Sequence, residues 1–342
     1  MSIDIWPPIP PASLEQKAAE TRDRELEWFT SETIETCRSI KHGLDDCYAL
    51  LAPVDPGSTL VMSTPRAEKV KGTLTRVGTR IVKGSLSLRL ATLPAAALHL
   101  SSDTHGAVHI HALDALHAHL TESIDLLSAI LGASSSATAA GRRLLDPHSL
   151  YENLSVLSDS IAASIGLLKG PPVDHPDPAW QTSSCPPQQF SPQLPQNVSF
   201  YVGLQECCVV LWLRALEPAH APVHLGMKLG LAIGTVRRLE HDEMDTIFKF
   251  NPAGSNETSD YNRGSARHSP GSSSLHRIPS GQGPAEEVLV REKVRIESAD
   301  PSLISLHSKL VYLRIVLGQA RRNLSVLLDI DAEDGWTKVV TA

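Results

Sequence analysis

Aromatic side chains are scarce in this chain of 342 residues, at 4% of the total, so its core has to be aliphatic. No apolar run reaches the roughly 20 residues that a membrane-spanning helix needs. Any membrane association is therefore expected to run through partners. The opening MSIDIWPPIPPASLEQ carries prolines and acids where a signal peptide needs a basic and then an apolar stretch. The five cysteines match no zinc-ligand spacing. Cys37 and Cys47 sit on a helical stripe and Cys207 and Cys208 in a strand-like run, which suits reduced, buried thiols of a cytosolic protein. Positive charge is in short supply. A net charge of −7 does not indicate a general affinity for nucleic acid or anionic lipid. The pairs Arg142-Arg143, Arg237-Arg238 and Arg321-Arg322 read as solvated helix faces.

Signatures of catalysis are missing too. There is no nucleophile elbow and no HExxH motif. Gly226, Gly230 and Gly234 recur every four residues but lack the Lys-Ser/Thr ending of a phosphate loop. His105, His109, His111, His117 and His119 crowd together without an acid or cysteine at ligand spacing, so a structural or solvent-facing role is favoured over metal. A Ser/His/Asp triad assembled in space is not excluded by sequence, but nothing points to one. No catalytic, cofactor-binding or metal residue is assigned, and no cofactor is expected. Ser269-Pro270 reads as a polar spacer or as a phosphorylation site.

What the chain does have is a leucine ladder. Leu303, Leu306, Leu310, Leu313, Leu317, Ala320, Leu324 and Leu327 follow steps of three and four, the rhythm of a helix whose seam presses on other helices. Burying a leucine stabilises by about 1.5–3 kcal/mol. Ordering each backbone residue costs about 1–2 kcal/mol. The ladder helix therefore needs neighbours, and three stripes at helical spacing offer them. These are Leu26, Phe29, Cys37, Ile40, Leu44, Cys47 and Leu51; Leu113, Leu116, Leu120, Ile124, Leu127 and Leu131; and Leu150, Leu154, Leu157, Ile161, Ile165 and Leu168. Asp146-Pro147 and Asp300-Pro301 supply helix-start signals. An intramolecular four-helix bundle is favoured over an intermolecular zipper. A basic DNA-binding zipper is disfavoured, because EEVLVREKVRIESAD before the ladder is acidic and strand-like.

Strand-like segments fill much of the rest. Leu86, Leu88 and Leu90 alternate with polar residues, Val198 to Leu216 reads as a hairpin breaking near Gln205-Glu206, and Val288 to Ile296 alternates. Residues 222–248 are read as helical around Leu229 to Phe248. The expected fold is α+β and elongated, an antiparallel four-helix bundle plus a small, mostly antiparallel β-sheet domain, each built from discontinuous segments. Residues 14–52, 106–169 and 301–330 make the bundle, and 58–101, 196–218 and 285–299 the sheet. Residues 170–195 are a Pro-rich linker. Residues 219–284 are an insertion, largely disordered from 251.

Four segments carry a family resemblance: ELEWFTSETIETCRSIKHGL in the first helix; EKVKGTLTRVG, with its Val-Lys-Gly-x-Leu pattern; LPQNVSFYVGLQECCVVLWLRALEP; and EKVRIESADPSLISLHSKLVYLRIVL. In this order they resemble the Rogdi leucine-zipper family, small subunits of the RAVE complex, with expanded loops of the sort expected in a fungal member. The resemblance implies a non-enzymatic subunit, cytoplasmic and peripherally recruited to vacuolar and endosomal membranes. Its implied partners are a large β-propeller-containing scaffold, a Skp1-type adaptor and subunits of the vacuolar proton-pumping ATPase, whose cytosolic and membrane sectors the complex helps reunite. It implies no nucleic acid, and no partner-binding residues transfer. Two alternatives stand beside it: a self-associating coiled-coil adaptor in vesicle traffic, pairing through Leu303–Leu327, and an enzyme with dispersed catalytic residues.

Overall fold

A computed structural model describes residues 10–101, 106–139, 146–172, 177–220, 241–251 and 285–330. The chain divides into two compact units. One combines Met1–Ala52, Ala112–Leu168 and Pro301–Ala342; the other combines Pro53–His111 and Lys169–Asp300.

The first unit holds four long helices: α1 (Pro11–Leu50), α2 (His111–Ala139), α3 (Pro147–Lys169) and α5 (Pro301–Leu327). Helix α1 starts earlier than the sequence implies, with Pro11 as its first residue, where the missing N–H costs nothing. Helix α3 starts as its capping signal predicts: the Ser149 amide donates to Asp146 Oδ2 at 3.0 Å. Helices α1 and α5 make the closest helix pairing. Gly43 allows it, since a Cβ there would fall 2.7 Å from Leu313 Cδ2. One turn on, Lys309 Nζ donates to Asp46 Oδ2 at 2.8 Å. Numbers rise along one helix as they fall along the other, so the pair is antiparallel. The buried line of α2 runs through Ser123 and Ile130, rather than Ile124 and Leu131. Ser123 tolerates burial because its hydroxyl meets that of Ser160 on α3 at 2.9 Å.

In the second unit, a six-stranded antiparallel sheet has the order β1 (Ser58–Ser63), β2 (Val70–Val77), β3 (Arg80–Leu88), β4 (Ala96–Ser101) and β6 (Phe190–Ser191), with β5 (Val108–His109) also on β3. A four-stranded antiparallel sheet has the order β7 (Val198–Gln205), β8 (Cys208–Pro218), β10 (Glu286–Ala299) and β9 (Ile247–Phe250). The β7–β8 hairpin turns at Glu206 and Cys207, both with positive φ. In the VKGTL segment Val70 and Leu74 are buried. Gly72 lies against β3 so closely that a Cβ would sit 1.9 Å from the Ser85 carbonyl oxygen.

The two sheets pack on each other. Phe190 and Phe200 meet with ring centroids 4.7 Å apart. Buried Glu292 accepts from Lys69 Nζ at 2.8 Å and from the Thr92 amide at 3.1 Å. The other face of the four-stranded sheet is covered by α4 (Trp180–Ser183) and residues 241–246, and Trp180, Leu216, Phe250, Val288 and Val290 cluster there. Covered on both sides, β8 is buried continuously from Val209 to Leu216, which explains why that run lacks alternation.

These observations correct the expected fold. The described residues form five helices and two antiparallel sheets of six and four strands, not an antiparallel four-helix bundle with one small sheet. Helix periodicity could count the long helices. It could not register a one-turn helix or the two- and four-residue strands β5, β6 and β9, which are too short to show a period. Residues 170–195 are more than a linker, because they contribute buried Trp180, α4 and β6 to the sheet unit. Within the expected insertion, Phe248 is a strand residue rather than a helical one, and Glu243 is buried. Gly226, Gly230, Gly234, Ser269 and the rest of 252–284 lie outside the described residues.

Candidate interaction surfaces

The leucine ladder lies on α5. Leu303, Leu306, Leu310, Leu313, Leu317 and Leu324 are buried, and Ala320 and Leu327 are half-buried. On α1 the facing set includes Thr33, Cys37, Ile40, Leu44 and Cys47, all buried. Burial pushes the thiol of Cys37 up to about 12 and that of Cys47 up to about 11. Thiolate, the reactive form, is suppressed at both. None of the five cysteines is in a disulfide.

Two helix surfaces remain open. Carried to the end of α5, the α1–α5 register sets Leu327 level with Trp28. Beyond that level no ladder helix lies beside α1 among the described residues, and Leu14 and Trp28 are 56% and 61% exposed. The second surface is the outward side of α5 itself. Ile304, Ile315 and Val326 are exposed and spaced by eleven residues, three turns, so they share one line. Tyr312 stands beside it, 65% exposed. An open groove of about 410 Å³ between α1 and α2 is lined by Arg38, Lys41, His42, Asp45, Ser128 and Leu131.

The histidine group is spread out. His109 ends β5, His111 begins α2, His117 stacks near Tyr48 at 4.8 Å and His119 lies 3.9 Å from Glu122. His105 lies outside the described residues. Among the described residues no three His, Cys, Asp or Glu side chains are arranged to hold a metal. No helix among them is long and apolar enough to cross a membrane.

Sequence reasoning missed the buried charges of the sheet unit. Arg76 donates from Nε to Asp300 Oδ2 at 2.7 Å, both side chains being almost fully buried. Arg214 makes a two-pronged contact with Glu243, Nε to Oε2 at 2.6 Å and Nη2 to Oε1 at 2.8 Å. Its guanidinium lies 4.5 Å from the centre of the Trp180 ring. Lys293 Nζ adds a second cation 2.7 Å from Glu243 Oε1. Burial alone would raise the Glu243 carboxyl, but the hydrogen bonds and charges of Arg214 and Lys293 outweigh it and hold it below the usual range. Because the folded state lowers this group, its stabilisation is present above the unfolded value and is lost as pH falls through the folded one. Denaturant midpoints read by Trp180 fluorescence should therefore drop as pH is taken below about 4.5. Glu243→Gln should lower the midpoint at neutral pH and flatten that acid limb.

The Rogdi leucine zipper containing protein family model matches residues 25–325. That span runs from α1 to α5 and takes in every strand of both sheets. The chain belongs to the Rogdi family. Membership points to a protein-interaction role. No curated protein matches the chain. The Rogdi ladder faces inward here, and among the described residues the outward side of α5 and the end of α1 before Trp28 stand exposed.

Proposed function

We propose that this protein is the small, non-enzymatic subunit of a RAVE-type complex. It acts with a β-propeller-containing scaffold and a Skp1-type adaptor to reunite the cytosolic and membrane sectors of the vacuolar proton-pumping ATPase. In this reading the protein is cytoplasmic and reaches vacuolar and endosomal membranes through its partners. The observation that carries the reading is the family match across residues 25–325. The exposed line Ile304, Ile315 and Val326 supports it, because a helix apolar on its outward side as well as its buried side has surface to offer a partner. Pairing of two chains through Leu303–Leu327 would first have to open a seam that is already buried in the chain.

The test is purification of the native complex from the organism's cells, with measurement of vacuolar pH in a deletion strain. Recovery of a propeller scaffold and pump subunits, with an alkaline vacuole in the strain, is the expected result. Recovery of neither, or a normal vacuolar pH, would overturn the reading.

A further inference from the structure

The six-stranded sheet has one face in the core and one in water. On the watery face Val61, Thr73, Ser85 and His99 form one cross-strand row, Val61 being its one apolar member, and Lys71 pairs with Ser87 in the next. Lys83 stands two residues from Ser85 on β3, and all seven side chains are exposed. Alternation places no carboxylate on this face in β1 to β4. From Ser58 to Ser101 seven lysines and arginines stand against one acid, Glu68, in a chain whose net charge is −7. Glu68 precedes β2 and lies outside the strands.

Two of the seven cations are used inside the unit, Arg76 on Asp300 and Lys69 on Glu292. The side chains of Lys71 and Lys83 have no hydrogen bond or ion pair among the described residues. In the VKGTL segment the fold accounts for Val70, Gly72 and Leu74, but it makes no use of the Lys71 side chain. Positive charge is thus gathered, without a carboxylate partner for Lys71 or Lys83 among the described residues, on a surface of short hydroxyls that lose little entropy when they bind.

We propose that this face, centred on Lys71, Thr73, Lys83 and Ser85, docks a carboxylate-rich protein segment. The proposal rests on the protein-interaction reading above and names a surface for it. Lysines and hydroxyls are all donors to a carboxylate, and complementary charge speeds encounter and rejects basic partners. A bilayer is the less suitable occupant, because membrane-surface binding needs large apolar side chains to insert. This face offers a single valine, Val61, in a row otherwise made of Thr73, Ser85 and His99.

The test places a photo-crosslinking benzoylphenylalanine at position 85 of the full chain, expressed in its own cells, and maps the adduct. The expected result is a protein adduct on a peptide with excess acid. Capture should fall about tenfold in Lys71→Glu/Lys83→Glu and persist in Lys71→Arg/Lys83→Arg. Both lysines are outside the core, so unchanged thermal melting of each variant checks that the fold is intact. A neutral or basic adduct peptide, capture indifferent to charge reversal, a lipid adduct or no protein adduct would each overturn the proposal. The identity of the captured protein bears on the RAVE-type reading, whereas its acidity and charge dependence bear on this surface, so the two can fail separately.

Discussion

Arg214→Met should be the most damaging single change in the sheet unit, destabilising it by about 3–5 kcal/mol. Both Arg214 and Glu243 have side chains only 2% exposed. Removing the arginine leaves a buried carboxylate with Lys293 as its one remaining cation. It also empties the space under Trp180 of a guanidinium worth about 0.5–2 kcal/mol in ring contact. The double variant Arg214→Met/Glu243→Leu should recover most of the loss, because the cost lies in the orphaned charge rather than in the absence of the pair. Urea unfolding followed by circular dichroism supplies all four corners of the cycle. A single variant within about 1 kcal/mol of the parent would contradict the geometry.

Leu310→Ala comes next, with an expected cost of about 2–5 kcal/mol to the helical unit. Leu310 is fully buried, one residue from the Lys309–Asp46 contact that fixes the α1–α5 register. Ile315→Ala on the outward side of the same helix should stay within about 0.5 kcal/mol, since that side chain is 46% exposed. Circular dichroism at increasing urea separates the two. Equal losses would mean that the outward line is also packed.

The contrast between Leu310 and Ile315 shows what residue spacing alone makes legible. Steps of three and four residues mark which side of α5 is buried, because a helix repeats every 3.6 residues and its core selects for grease. The same rule misjudges α2, where Ser123 is buried by a hydroxyl partner 37 positions away, a pairing that leaves no hydrophobic mark. Arg214 is visible as a charge inside VVLWLRAL, but its carboxylate is supplied by a distant turn at Glu243. Trp180 is hidden among prolines. The exposed basic face is written as ordinary alternation in β2 and β3, and its charge becomes notable only when register sets the strands side by side.

The order of segments bears on how the protein is made. Helix α1 ends at Leu50 and its ladder partner begins at Pro301. At roughly 5–20 residues per second, the ribosome delivers that partner some tens of seconds later. Throughout that interval Ile40, Leu44 and Cys47 have no ladder to bury them. Newborn chains therefore carry that stripe unpaired until Pro301–Leu327 has emerged, and truncated products ending before Pro301 are natural clients for chaperones and proteases.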